Sequence, residues 1–300
     1  MNQVIKLGSS GLLVECIQEK LNLKITGVYD GETHKEVVRF QASNNIKNDG
    51  IVGPLTWKKL KIFPEEIYAD TDANTSATWI TQYPLPHGEF VDEDTNKQYV
   101  ILHSNHGTYD PYKQIDLWAH DQRGRVGSHY VIGGLSPAES TDYKKVDGLI
   151  LQAIKDYNWG FHLGPIKQSR LQKNSITIEL CSAGPLTFTD GKYSTWYGLE
   201  VVPEQVESLE VPFKGHRYFH KYSEAQLESL KALLILIRNR HNIDLKTGLL
   251  EMLKSNTKDA FNYSKRSLNY HSGIFTHGNL VESKLDLFPQ KSLINMLETL

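Results

Sequence analysis

A polar segment near residue 70 divides this chain into a short part and a long part. The segment PEEIYADTDANTSATW, residues 64–79, is rich in small and polar residues and has no apolar periodicity. Such a segment is typical of a linker between domains. Since a chain of 300 residues is long enough for two domains, we expect one domain at 1–62, a linker at 63–79 and a second domain at 80–300.

The composition is that of a globular protein whose cysteines stay reduced. Hydrophobic residues make up 39% of the chain, which is enough to form packed cores. The formal net charge is −2, so we expect no nucleic-acid partner. Two cysteines, Cys16 and Cys181, are too few for a disulfide framework. Because no window approaches ~18 apolar residues and the N-terminus lacks an apolar leader, we expect synthesis in the cytosol without a signal peptide and no stable membrane insertion.

The short part has the pattern of a small helical domain. Three segments, 12–23, 33–44 and 49–60, combine a glycine-containing turn with a short amphipathic pattern. In the second segment, Thr33 and Glu36 have the spacing of a capping box at a helix N-terminus. We therefore predict an all-α domain of three helices.

The long part alternates strand patterns with helix patterns. Short β-rich apolar runs occupy residues 97–105, 128–134, 147–154 and 175–180. The last run, SITIEL, alternates, which predicts one apolar face and one polar face. A long helix is predicted at 223–243, with Ser223 and Gln226 as its capping box. This order predicts an α/β (α+β) domain with a central mixed β-sheet flanked by helices.

Several chemically capable residues lie at the ends of these elements. His103 ends a predicted strand, and His277 and Asp286 lie nine residues apart across a Gly-Asn turn. A catalytic zinc needs three such ligands and an open position for water. Glu179 is a candidate general base, and Lys284 is a candidate donor to an oxyanion. With twelve histidines in the chain, spacing alone does not single out this set.

Other residues offer competing chemistry. His106 lies three residues after the first candidate ligand, and His216 and His220 have a ligand spacing if they are helical. Glycine and proline near these three favour loops instead. We expect His129 to be structural. Cys181 would need a histidine partner to act as a nucleophile, and a buried thiol is the simpler expectation.

The short part resembles the three-helix peptidoglycan-binding domain found in cell-wall hydrolases. The matching blocks are LGSSGLLVECIQEKLNL, TGVYDGETHKEVVRFQ and DGIVGPLTWKKL. The resemblance implies that residues 1–62 bind bacterial peptidoglycan. Tyr29 and Trp57 either pack in its core or contact the substrate in a groove, where an aromatic ring adds contact area at low entropic cost.

Six motifs in the long part follow one another in the order of a known enzyme family. They read YVILHSN, VGSHYVI, WGFHLG, NSITIEL, YSEAQLESL and FTHGNLVESKLDLFP. They resemble the zinc-dependent N-acetylmuramoyl-L-alanine amidases of type 2, which include phage endolysins and peptidoglycan recognition proteins. The resemblance extends from residue 97 to 290 and implies a Zn²⁺ cofactor.

The family pattern implies a role for each candidate residue. His103 and His277 match the two histidine ligands, and Asp286 stands at the position of the third ligand. Glu179 matches the catalytic glutamate of one branch of the family. Lys284 matches the residue that stabilises the tetrahedral intermediate.

The sequence also carries two residues of the family's substrate groove, and it departs from the family pattern at several positions. His162 and Trp159 match the Trp-His motif of the groove, although a phenylalanine is inserted between them. Ser128 stands where the other branch has a catalytic tyrosine. The family ending Lys-x-Asp-Pro-Gly-Pro is replaced here by KLDLFP, and residues 244–272 form an unusually long connection that we expect to be a helical insertion.

Together these resemblances imply a peptidoglycan hydrolase that cleaves the amide between N-acetylmuramic acid and L-alanine with zinc-activated water. We expect a monomeric phage endolysin that acts on the cell wall after release. One alternative is a non-catalytic peptidoglycan-recognition protein, against which the intact ligand set argues. The other is a cytosolic amidase that recycles soluble muropeptides, against which the wall-binding domain argues.

Overall fold

The chain forms two compact units in a computed structural model. The structure describes residues 4–9, 12–62, 79–138, 146–164, 169–255 and 259–300. One unit comprises residues 1–79 and the other residues 80–300. The predicted linker at 63–79 lies, except for Trp79, outside the described residues.

The N-terminal unit contains the three predicted helices. They are α1 (Leu12–Lys20), α2 (Gly31–Ser43) and α3 (Pro54–Leu60). The capping box predicted for α2 is wrong by one turn. The helix begins earlier because the Asp30 carboxylate accepts the backbone N–H of Thr33, which makes Asp30 the N-cap.

Two buried glutamines hold the glycine turns of this unit in equivalent ways. The side-chain oxygen of Gln18 accepts the backbone N–H of Gly27, and that of Gln41 accepts the backbone N–H of Gly50. The hydroxyl of Tyr29 donates to the carbonyl of Gly50 at 2.8 Å. Each turn is therefore fixed from the interior, where an unpaired amide would be costly.

The second unit contains two sheets. Their strands are β1 (Ile80–Gln82), β2 (Tyr99–Ser104), β3 (Tyr130–Ile132), β4 (Ile150–Gln152), β5 (Ser175–Leu180), β6 (Pro185–Thr189), β7 (Lys192–Ser194), β8 (Glu200–Val201), β9 (Val206–Phe213), β10 (His216–His220) and β11 (Gly273–Thr276). The helices are α4 (Pro111–Ala119), α5 (Ser169–Lys173), α6 (Glu224–His241), α7 (Leu249–Ser255), α8 (His277–Leu280) and α9 (Lys291–Leu297).

The central sheet is mixed, as the sequence predicts. Its strand order is β1-β4-β3-β5-β2-β11. The pair β3 and β4 is antiparallel, and the other neighbouring pairs are parallel. Helix α4 packs on β3 and β4, and α6 contacts β3. The fold class is therefore confirmed, with helices around a mixed sheet.

Strand β5 differs from its predicted alternation. All six of its residues are buried, because β5 lies between two parallel neighbours with both faces covered. Its polar side chains face partners instead of water. Thr177, for example, accepts the backbone N–H of His129 at 2.9 Å.

The five-stranded antiparallel sheet was not predicted. We call strands β6–β10, residues 185–220, the accessory sheet; its order is β8-β7-β6-β10-β9. The expectation of a loop around His216 and His220 is wrong, because both belong to β10 and His220 is fully buried. Asp190-Gly191, between LTFT and KYS, is a hairpin signal that the sequence did carry.

The predicted long helix is present, and the predicted insertion contains a helix. Helix α6 has the predicted capping box of Ser223 and Gln226. Within 244–272, helix α7 packs beside the edge strand β11, and Gly248 forms a bridge with Ile274. Among the described residues, no helix has both the length and the apolarity needed to cross a membrane.

Candidate metal centre and active site

Three neighbouring strands bring the candidate residues to one edge of the central sheet. Strands β5, β2 and β11 are adjacent and parallel, so their carboxyl ends meet. His103 pairs in register with Glu179. Since Thr276 pairs with Leu102, His277 continues the same row as the first residue of α8. Residues paired across parallel strands point to the same side of the sheet, which places these three side chains together.

The segment after α8 returns Asp286 to the same place. The backbone N–H of Gly278 donates to the Asp286 carbonyl at 2.9 Å. Leu287 and Phe288 are fully buried directly after it. The ring of Phe288 stacks on Phe219 with the centroids 4.3 Å apart. The buried ring of Phe288 therefore anchors the segment that carries Asp286.

The three predicted ligands form one buried cluster. The Nδ1 atoms of His103 and His277 are 3.1 Å apart. The Oδ2 atom of Asp286 lies 3.1 Å from His277 Nδ1 and 3.5 Å from His103 Nδ1. Donors around a tetrahedral ion with bonds of about 2.0–2.2 Å lie ~3.3–3.6 Å apart. The cluster therefore fits one small divalent metal ion, with three residues that are all buried.

The protonation states of the cluster suit a metal. Burial lowers the pKa of His103 to about 4, so its imidazole is neutral at pH 7. Burial alone would raise the pKa of Asp286, but hydrogen bonds with His103 and His277 hold it well below its usual range. Neutral imidazoles and an ionised carboxylate are the ligand forms that bind metals.

Glu179 lies beside the cluster as a buried carboxyl group. Burial and the negative charge of Asp286 raise its pKa to about 8. The hydroxyl of Ser128 donates to Glu179 Oε2 at 3.3 Å and partly offsets this rise. A carboxyl group with a pKa near the working pH can both accept and return a proton.

Lys284 lies at the open side of the same site. Its side chain is exposed, and its positive charge acts on both Glu179 and His103. Its backbone carbonyl accepts a hydrogen bond from the Lys214 ammonium of the accessory sheet. The backbone of Lys284 is thus held, while its side chain is exposed to solvent.

His162 is closer to the cluster than the sequence predicts. Its Nδ1 atom is 3.2 Å from His103 Nε2, and its Nε2 atom is 3.4 Å from the carbonyl oxygen of Gln172. The side chain is buried, and burial lowers its pKa well below the ordinary value. Both ring nitrogens therefore face protein groups, and the expected place of His162 at the substrate groove stays a prediction.

The three aromatic candidates are partly or fully withdrawn from solvent. Tyr29 and Trp57 are buried in the N-terminal unit, which favours the core alternative for both. Trp159 is half-buried. Its indole N–H donates to Glu93, and the Lys173 ammonium lies 5.2 Å from its ring centroid. Trp159 therefore already interacts with two protein side chains, Glu93 and Lys173.

The competing residues have structural roles. His129 is fully buried between Thr177 and the carbonyl of Asn158. Cys181 is also fully buried, and burial raises its thiol pKa well above the ordinary value. A thiol in this state is a poor nucleophile.

Solved structures similar to this chain include those of PlyL, AmpD and AmiD. PlyL is 8% identical, with 66% of this chain and 80% of PlyL covered and a TM-score of 0.34. A selenomethionine derivative of AmpD is 16% identical, with 74% and 96% covered and a TM-score of 0.34. AmiD from E. coli, solved with a muramyl-peptide substrate, is 19% identical, with 52% and 48% covered and a TM-score of 0.31. No curated protein sequence matches.

Models of protein families give the assignment. Residues 11–60 match the model described as a putative peptidoglycan binding domain. Residues 93–284 match the model described as N-acetylmuramoyl-L-alanine amidase, and this match spans more than half of the chain and the predicted ligands His103 and His277. The chain therefore belongs to the N-acetylmuramoyl-L-alanine amidase family and carries a peptidoglycan-binding domain at its N-terminus.

Proposed function

We propose that His103, His277 and Asp286 hold a zinc ion, and that this site hydrolyses the amide between N-acetylmuramic acid and L-alanine. The observation that carries the proposal is the cluster of two Nδ1 atoms and one carboxylate oxygen, all 3.1–3.5 Å apart and buried. Two histidines and one carboxylate are a ligand set of catalytic zinc sites. When bound, zinc supplies a Lewis acid and activates water for attack on a carbonyl.

Glu179 is the proposed general base and general acid. Its carboxylate accepts the proton of the attacking water and returns it to the nitrogen of the leaving L-alanine. Burial raises the pKa of Glu179 and so favours its neutral form, which allows the group to hold the proton between the two steps. The Ser128 hydroxyl, which donates to Oε2, orients the carboxyl group.

Lys284 is the proposed donor to the oxyanion that develops on the amide carbonyl. Its ammonium is exposed and its charge reaches Glu179 and His103. A positive charge near the reacting carbonyl lowers the energy of the transition state more than that of the neutral substrate.

His162 is the proposed positioning residue of the first ligand. If His103 binds zinc through Nδ1, its Nε2 carries the proton, and this N–H donates a hydrogen bond to Nδ1 of His162. The Nε2–H of His162 then donates to the carbonyl of Gln172. Such a partner fixes the tautomer and the ring orientation of a ligating histidine.

The substrate is proposed to be the intact cell wall. Residues 11–60 match a peptidoglycan binding domain, so the domain at residues 1–62 would tether the enzyme to peptidoglycan. Tethering raises the local concentration of substrate. Wall binding favours an endolysin that acts as a monomer after release over an amidase that recycles soluble fragments. The tethered domain at 80–300 would carry the chemistry, with 63–79 as the connection.

Release of stem peptides from purified peptidoglycan tests this function. We expect release by the wild type, loss with a chelator and recovery after zinc is added. Glu179→Gln should keep one zinc per chain and lose most turnover. Full turnover in the chelator, or in Glu179→Gln, would contradict the proposed site. Cleavage of soluble muramyl peptides without any cleavage of the wall would favour the recycling alternative.

A further inference from the structure

The accessory sheet is attached to the loop that follows the first predicted ligand. The indole N–H of Trp196 donates to the carbonyl of His106 at 2.8 Å. The hydroxyl of Tyr197 donates to the carbonyl of Gly107 at 3.1 Å. Both carbonyls lie within four residues of His103. The turn between β7 and β8 is therefore positioned beside the start of the candidate site.

The other end of the accessory sheet is attached to the segment that holds the third predicted ligand. In the turn between β9 and β10, the Lys214 ammonium donates to the carbonyls of Glu282 and Lys284. Phe219 of β10 stacks on Phe288, two residues after Asp286. The accessory sheet thus contacts both the loop after His103 and the segment around Asp286, and it forms part of the surroundings of the site.

Trp196 and Tyr197 remain open to solvent although their polar atoms are bonded. Trp196 is 72% exposed and Tyr197 is 43% exposed. Their rings meet edge to face, with the centroids 5.3 Å apart and the planes at 87°. The hydrogen bonds consume the indole N–H and the phenol O–H, so what faces solvent is aromatic ring surface. A ring held in this way binds a ligand at low entropic cost.

Other exposed aromatic side chains of the sheet lack this arrangement. Phe188 is 48% exposed, but it packs on Tyr193 and Tyr218 within the sheet. Single exposed apolar residues are common and need no function. Trp196 and Tyr197 differ because their polar atoms are bonded to the loop that follows His103.

We propose that Trp196 and Tyr197 form a glycan-binding subsite for the sugar strand that flanks the muramyl residue under attack. The inference rests on the proposed function, because that function places a muramyl residue of a long glycan strand at the cluster of His103, His277 and Asp286. Sugars next to that residue must pass over the surroundings of the site. The apolar faces of pyranose rings fit a fixed aromatic surface with little net charge.

Turnover of muramyl peptides with one, two, four and eight sugar units tests the subsite. We expect Trp196→Ala to raise KM for the longer substrates roughly tenfold, which corresponds to about 1.4 kcal/mol, with a smaller change for one sugar. Tyr197→Ala should act in the same direction. Phe188→Ala is the matched control and should leave all four values unchanged. Equal KM values for wild type and Trp196→Ala on eight sugars would overturn the subsite.

A binding measurement separates this inference from the proposed function. Full-length Glu179→Gln is titrated with a tetramer of N-acetylglucosamine, which carries no peptide, and the Trp196 indole signal is followed by NMR. We expect that signal to shift. In a protein that also carries Trp196→Ala, the affinity is followed through the backbone amide signal of Gly198 and should fall roughly tenfold. A shift without amide cleavage by wild type would sink the amidase function and keep the subsite. Amide cleavage without any shift would sink the subsite alone.

Discussion

Replacing His162 by alanine should weaken zinc binding without unfolding the protein. His162 is buried, and its Nδ1 atom is 3.2 Å from Nε2 of His103. When His103 binds zinc through Nδ1, its Nε2 must carry the proton, and His162→Ala leaves that N–H without its acceptor. In the metal-free protein the proton can move to Nδ1, which faces the Asp286 carboxylate at 3.5 Å. The cost therefore falls on the zinc-bound state.

The expected size of the effect follows from the burial of this N–H. Leaving a buried donor unpaired costs about 1–3 kcal/mol. This is a loss of roughly 5- to 150-fold in zinc affinity, consistent with the ~10- to 100-fold effects of removing the partner of a ligating histidine. A purely structural role would instead lower the stability of metal-free and zinc-bound protein equally.

Competition with a chelating indicator measures this affinity, and cobalt substitution reports the geometry of the site. His162→Gln offers an amide oxygen as acceptor and should recover part of the affinity. His120→Ala removes an exposed histidine and serves as the control. An unchanged zinc affinity in His162→Ala would refute the positioning role.

Three further changes have defined outcomes. Phe288→Ala should destabilise the protein by about 3–5 kcal/mol in urea unfolding, because Phe288 is fully buried; a loss no larger than that of the exposed control Phe188→Ala would contradict the anchor. Cys181→Ala should keep its turnover of muramyl peptides, whereas its loss would point to a thiol nucleophile. In metal-free protein, burial raises the pKa of Glu179 from its ordinary value of 4.5 to about 8. Its contribution to stability is therefore complete below pH 4.5 and is lost as the pH rises through 8. Between pH 5 and 9, wild type should lose on the order of 4 kcal/mol relative to Glu179→Gln in urea unfolding, and parallel pH profiles would contradict this.

The sequence predicted the central sheet because its strands are short apolar runs. YVILHS and SITIEL each form a strand of six buried residues, and the second-last residue of each, His103 or Glu179, belongs to the site. The register that pairs His103 with Glu179 depends on contacts between distant segments, and no local pattern encodes it. The order of motifs supplied the ligand set, but only the folded chain gives the distances of 3.1–3.5 Å.

The accessory sheet and the position of His162 escaped prediction for different reasons. Strands β6–β9 are largely exposed, so they lack the apolar runs that reveal a buried strand. His162 carries no local signal of its partner, since His103 lies 59 residues away. Tyr29 and Trp57 could not be assigned from sequence, because an aromatic residue suits a core and a binding groove equally well.

Mass spectrometry of peptidoglycan digested by the full-length protein tests the proposed amidase chemistry most directly. We predict free stem peptides that begin with L-alanine, together with glycan strands that contain no new reducing ends. Both products should disappear in Glu179→Gln, which should still hold its zinc. New reducing sugars, or peptides cut inside the stem, would contradict hydrolysis of the muramyl amide at the His103, His277 and Asp286 site.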